Sequence, residues 1–489
     1  MTRYQHLASL LAERIEQGLY RPGEKLPSVR SLSQEHGVSI STVQQAYQTL
    51  EQQQLIVPQP RSGYFVAPRK AQPPVPPMSR PVQRPVEITQ WDQQADGVRP
   101  GPAARHDKSI IPFGGGSPDV TQPSLKPIWR ELSRAIQHNL SEVLNYDELA
   151  GRRELREQIA RLMLDGGSVV TANDLVLTSG WHHAPAPGPA LRHSALSLAL
   201  LSVCQPGDIV AVESPCYYGT MQMLRGLGLK TIEIPTDPET GISIEALELA
   251  LDQWPIKGVI LVPNCNNPLG FIMPDARKRA ALCLAQRHDI VIFEDDIYGE
   301  LATEYPRPRT IHSWDIDGRV MLCSSFTKTI APGLRIGWIA PGRYYDRLLQ
   351  MKYAASGTNV PSTQLAACNF IREGHYHRHV RRMRQIYQRN MEIYTCWLRE
   401  FFPCGICVTR PKGGFMLWVE LPEQVDMVCV AKQLCRLKIQ VAPGSLFSAS
   451  GKYRNCLRIN CALPPIDKHK EVMVQLGMAV KVAMEWAPE

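Results

Sequence analysis

Aspartate is missing from the first seventy residues of this 489-residue chain, where eight Lys/Arg stand against five Glu. That small basic excess suits a module that meets an anionic partner such as nucleic acid. No apolar run reaches the eighteen or so residues that a membrane-crossing helix needs, so no membrane partner is expected. A secretory signal is lacking too: Met1-Thr-Arg-Tyr-Gln leads straight into an amphipathic pattern, and the expected compartment is the cytoplasm. The thirteen cysteines are odd in number and scattered. Cys404-Gly-Ile-Cys407 has no second pair at matching spacing, so reduced thiols are expected and no metal site. Charge is moderate, at 20% charged residues and a net +8, and 44% of residues are hydrophobic. These values argue against general disorder, and the length suggests two or three domains.

The first 67 residues read as one module. Leu7, Leu10, Leu11 and Ile15 share a helical face that Gly18 ends. Ser28 is placed to cap a second, short helix that stops at Gly37, and Ser39 to cap a third whose inner side carries Val43, Ala46, Tyr47 and Leu50. Two short helices joined through a glycine fit a helix-turn-helix. After Leu55 a β-hairpin follows, with Arg61-Ser-Gly-Tyr at its tip. Leu26-Pro-Ser-Val-Arg30, Val38-Ser-Ile-Ser-Thr-Val43 and Ser62-Gly-Tyr-Phe-Val66, in this order, resemble the GntR family of winged helix-turn-helix regulators. The resemblance implies that Arg30, Ser28, Ser39, Ser41, Thr42, Gln44, Arg61 and Gly63 face a double-stranded DNA operator, many through phosphates. Ile40 and Gln44 stand where the family often has arginine, so base preference is not carried over.

Residues 68–110 change character. Pro73, Pro74, Pro76, Pro77, Pro81 and Pro85 alternate with Gln, Arg and Val, which predicts an extended, semi-stiff tether. From 111 to 489, apolar runs at 175–178, 209–213, 231–234, 258–263, 289–293, 320–323 and 336–339 alternate with helical stretches. That rhythm predicts a mostly parallel α/β sheet flanked by helices. Ligands of such sheets sit at the carboxyl ends of the strands, and the chemically distinctive residues all follow these runs.

Ser324-Ser-Phe-Thr-Lys-Thr-Ile-Ala-Pro-Gly-Leu-Arg-Ile-Gly-Trp338 carries the strongest signal. The amine of Lys328 can form a Schiff base with an aldehyde, while Ser325 and Arg335 are spaced to hold a phosphate. The segment resembles the pyridoxal 5′-phosphate (PLP) site of fold-type I, class I aminotransferases. That resemblance implies a fold-type I body with a smaller C-terminal α+β part, and a catalytic set of Lys328, Asp295 and Tyr298. Asp295 would meet the pyridine nitrogen, favouring its protonated form. Asp296 is the rival, and the three-residue spacing to Tyr298 favours Asp295. Asn267, in Asn264-Cys-Asn-Asn-Pro-Leu-Gly270, and Tyr298 would face the phenolic oxygen, and Tyr217 would stack on the ring. Ser179 and Gly180 would supply the phosphate nest, and Tyr146 would reach a neighbouring subunit's phosphate. Arg458, in Asn455-Cys-Leu-Arg-Ile-Asn460, would grip a substrate carboxylate beside Asn267.

One stretch departs from the pattern. After Gly180 the chain runs Trp-His-His-Ala-Pro-Ala-Pro-Gly-Pro-Ala-Leu-Arg-His193 before helical character resumes, roughly ten residues more than the family has, and its prolines forbid an ordinary helix. It either loops out and spares the nest, displaces the nest, or reflects a local fault in the reading frame. His182, His183 and His193 have no acidic or cysteine partner beside them, so they are not read as a metal site.

Head, tether and body together resemble the MocR subfamily of GntR regulators. The resemblance implies a homodimeric transcriptional regulator that senses a small amino acid or amine by aldimine exchange at Lys328. The alternative is a working class I aminotransferase that carries a DNA-binding head.

Overall fold

A computed structural model of the chain describes residues 3–16, 19–52, 55–59, 62–67, 73–79, 85–86, 107, 109–180 and 194–485. Two compact units result, Met1–Gln72 and Pro73–Glu489. In the first, helices α1 (Arg3–Glu16), α2 (Val29–His36) and α3 (Ile40–Gln52) precede a hairpin of strands β1 (Ile56–Gln59) and β2 (Gly63–Val66). Leu7, Leu11, Ile15, Leu32, Val43, Ala46, Tyr47 and Leu50 bury their side chains in one core, with Leu10 half-covered. Ser28 Oγ accepts the Ser31 N–H at 3.1 Å and caps α2. Gly37 closes that helix at φ +59°, a left-handed conformation that costs glycine little. The Tyr47 hydroxyl donates to Pro27 O at 2.5 Å, pinning α3 to the turn before α2. Arg61 and Gly18 lie outside the described residues.

The second unit is built on an eight-stranded sheet. Its strands are β4 (Val176–Thr178), β5 (Ile209–Ser214), β6 (Lys230–Asp237), β7 (Gly241–Ile242), β8 (Ile256–Leu261), β9 (Val291–Asp295), β10 (Val320–Ser325) and β11 (Gly337–Ala340). Their order is β4-β11-β10-β9-β8-β5-β6-β7. The run β10-β9-β8-β5-β6 is parallel, while β11 lies antiparallel between β4 and β10. These strands are nearly all buried, because helices cover both faces, and the sequence therefore shows apolar runs instead of alternation. A second core, from Phe113 to Val480, supports a smaller sheet of β12 (Cys407–Val408), β13 (Met416–Glu420), β16 (Cys456–Asn460) and β15 (Ala442–Pro443). Strands β3 (Ile111–Pro112) and β14 (Ile439–Gln440) pair beside it. This is the fold-type I arrangement with a smaller C-terminal part.

The proline-rich stretch differs from a free tether. Val408 N–H donates to Pro74 O at 2.9 Å, and Val86 and Thr231 exchange both backbone bonds, at 2.7 and 3.1 Å. Strand β12 is the edge of the smaller sheet, and β7 covers only the far end of β6. Unpaired edge groups recruit backbone partners, which is why two pieces of 68–110 are seated on the body.

Candidate cofactor and ligand site

Strands β5, β8, β9 and β10 run parallel, so their carboxyl ends open onto one margin of the sheet. Tyr217, Asn267, Asp295 and Lys328 follow or end those strands, and the topology brings them together. Lys328 Nζ donates to Gly116 O at 2.5 Å and lies 5.9 Å from the Tyr298 ring centre. Burial, then the charge of Arg458, push its amine down to about 7, while Asp295 opposes the shift. Asp295 is buried and accepts the Ile297 N–H at 3.1 Å; desolvation drives its carboxyl well above the usual range. Asp296 turns elsewhere, bonded to Asn264 Nδ2 at 3.0 Å and to the Arg307 guanidinium. Its commitment leaves Asp295 as the acid nearer the lysine.

Asn267 Nδ2 donates to Tyr298 Oη at 3.3 Å, so the two groups expected at one cofactor oxygen already touch. Arg458, on β16, is fully buried. Its two terminal nitrogens donate to Asn267 Oδ1 and Gly114 O, each at 2.8 Å. Tyr217, Tyr218 and Phe447 surround the guanidinium, with ring centres 5.8, 5.3 and 5.1 Å from Cζ. Among the described residues, Arg458 Nε is buried without a hydrogen-bond partner, a donor left over for an anionic ligand.

A third corner gathers the phosphate candidates. Ser325, Gly337 and Thr178 lie side by side across β10, β11 and β4. Arg335 adopts φ +54° and its guanidinium donates to Ser179 O. A Cβ on Gly180 would sit 3.1 Å from that guanidinium, so glycine is what admits it. The Ser325 hydroxyl is engaged with Ile336 O at 2.8 Å and accepts the Thr327 N–H at 2.9 Å, so it must rotate to serve a phosphate. Ala195 N–H donates to Gly180 O at 3.0 Å, and Ser194 caps the helix Ala195–Val203. The described residues on either side of 181–193 are thus held together by a backbone bond. Its histidines and prolines lie outside the described residues.

Tyr146 is not brought to this site; it is 91% exposed. In the head, Arg30, Ser39, Ser41 and Gln44 are exposed and Thr42 is half-buried. Ser39 Oγ takes the Thr42 N–H at 3.2 Å and contacts the Ser41 and Thr42 hydroxyls. Gly63, at φ +115°, shapes the hairpin tip. Sequence reasoning missed Gly114-Gly-Gly116, whose carbonyls hold both Arg458 and Lys328, and it missed Tyr218 and Phe447. The triple glycine was the available signal: a Cβ on Gly114 would lie 2.4 Å from the Val441 backbone.

Comparison with known proteins decides the family. The model for aminotransferase class I and II matches residues 108–476. The chain belongs to that family. Ahead of this aminotransferase body, residues 3–66 match the model for bacterial regulatory proteins of the gntR family. Over 485 residues the chain is 76% identical to the uncharacterized HTH-type transcriptional regulator YjiR of Escherichia coli K12, covering 99% of this chain and 100% of that protein. It is 28% identical to aromatic-amino-acid aminotransferase 1 of Thermococcus litoralis, over 77% of this chain and 89% of that one. Among solved structures, Pyrococcus horikoshii kynurenine aminotransferase superposes with a TM-score of 0.68 at 29% identity, covering 80% of this chain and 96% of that one. A gntR head joined to an aminotransferase class I and II body is the MocR-type arrangement expected from the motifs.

Proposed function

We propose that the protein is a MocR-type, DNA-binding transcriptional regulator of the cytoplasm, in which PLP held at Lys328 senses an amino acid or amine. The observation that carries this reading is the desolvated Lys328 amine beside Asp295, in a chain that also bears a gntR head. The residues fit the cofactor. A desolvated primary amine, a buried acid, a touching amide and phenol, and a guanidinium against a glycine supply the donor set it requires. When bound, PLP supplies an electrophilic carbon and a ring that accepts electron density.

The protein's own groups do the rest. Lys328 presents a neutral amine near neutrality, and once freed it can carry a proton at Nζ. Arg458 takes the effector carboxylate and surrenders a bond to Asn267 or Gly114 in exchange. Because Arg458 stands on the smaller sheet and Asn267 on a loop of the larger one, ligand binding alters how the two cores hold together. Pro74 and Val86 are bonded to these same two sheets, which gives the tether a share in that change. A homodimer is supported by exposed apolar residues in the stretch ahead of Tyr146, namely Trp129 at 69% and Leu144 at 77%.

Borohydride reduction of the protein incubated with PLP, followed by peptide mapping, tests the cofactor half. The yield at fixed time should climb with pH up to about 7 and then flatten, because only the neutral amine reacts. A yield still rising through pH 9 would show an ordinary lysine instead. For the head, Arg30→Ala should weaken DNA binding and shrink its salt slope by about one unit, with PLP capture unchanged. The second reading, a working aminotransferase, is favoured by the intact Lys328, Asp295 and Arg458 set. Steady turnover with an amino donor and a keto acid would establish it.

A further inference from the structure

The long helix His375–Phe401 carries a feature that the cofactor site does not use. Between His375 and Glu392 it has five arginines and a single acidic residue, Glu392 at the end of the run. Arg384 faces inward to Glu300, with a nitrogen 3.7 Å from the carboxylate. The other four, Arg378, Arg381, Arg382 and Arg389, are exposed and fall with Gln385 on one face at helical spacing. Among the described residues, none of these four has a carboxylate within ion-pair distance. Arg378 leans on Gly374 O and the His375 ring; among the described residues no such bond engages Arg381, Arg382 or Arg389. Glu392, one turn beyond Arg389, offsets part of that one charge; Arg378, Arg381 and Arg382 repel one another and lower stability unless an anion uses them.

We propose that this arginine stripe is a second DNA contact, gripping backbone phosphates of the duplex that the head binds. The stripe extends about 16 Å, the axial length of about five base pairs. Guanidinium groups match phosphate in geometry as well as charge. The tether favours DNA over other anions: Pro74 is bonded to Val408, seven residues beyond the end of this helix at Phe401. Six residue steps separate Ala67 from Pro73, a covalent path of at most about 22 Å. The gntR-type head is therefore joined by a short covalent path to the chain that bears the stripe.

The inference rests on the head being a DNA binder, and the test separates the two. Full-length protein would be titrated with a labelled random-sequence duplex of about 40 base pairs over a KCl series, since phosphate contacts appear in the slope of log K against log salt. Arg381→Gln/Arg382→Gln/Arg389→Gln should flatten the slope by about three units per protomer. The matching triple lysine variant, which keeps the charge, should retain it. An unchanged slope in the glutamine variant, with Arg30→Ala still reducing it, would overturn the stripe as a DNA contact, point to an acidic protein partner, and leave the head's role standing. No salt-dependent binding by the wild-type protein would overturn both.

Discussion

Lys328→Ala is expected to abolish covalent capture of PLP while leaving DNA binding in place and removing its response to amino acids or amines. Two other lysines are more fully buried and make the experiment informative. Lys352 is also pushed down to about 7 by burial, but its amine is bonded to Asn359 Oδ1 at 2.7 Å and to Leu149 O. Lys278 Nζ is held by Asn264 Oδ1 at 2.8 Å and Arg309 O at 2.6 Å. Each is engaged in a structural bond network, whereas among the described residues Lys328 bonds to one backbone carbonyl, at the strand-end margin. Reduced adduct should therefore map to Lys328 in the wild type and to no lysine in the variant; an adduct on Lys352 would overturn the assignment. The variant also reads out a stability effect with a definite sign. An amine at about 7 in the folded chain, against 10.5 when unfolded, makes burial costlier as pH falls. The alanine protein should gain melting temperature relative to wild type as pH drops toward 7, with the gain levelling below.

Arg458→Ala is expected to cut the affinity for a carboxylate-bearing effector by about 2–5 kcal/mol, from roughly thirtyfold to several thousandfold. Amines that lack a carboxylate should respond almost as before, which separates recognition from general damage. Lysine at this position restores charge without the planar fork and should recover only part of the loss. Truncation also strands the Asn267 and Gly114 acceptors inside the protein, at about 1–3 kcal/mol each. Calorimetric melting of the ligand-free variant measures that component separately. Equal loss for effectors with and without a carboxylate would remove Arg458 from the recognition role.

Much of this site is visible in one dimension because parallel strands align their carboxyl ends. The apolar runs before Asn264, Asp295 and Lys328 became β8, β9 and β10. Helix caps at Ser28 and Gly37 follow from local chemistry alone, and both are present. Choosing between Asp295 and Asp296 required a family spacing; Arg307, distant in sequence, supplies the physical reason. Tyr218 and Phe447 were hidden because the box around Arg458 closes only when two sheets meet. The seating of Pro74 and Val86 was hidden for a similar reason: a proline-rich run does not announce which sheet edges lie open to receive it.

The bond between Ala195 and Gly180 has a consequence for how this fold tolerates change. Once both ends of a segment are clamped together, its length enters stability only through the entropy of closing a loop. Roughly ten added residues cost about 1 kcal/mol on that account, a small fraction of what a body this size holds. A reporter or an affinity handle joined between Gly180 and Ser194 would therefore start from two ends that are already held together. Any such graft begins beside Ser179 and Gly180, so one made there would report on the phosphate corner from a single residue away.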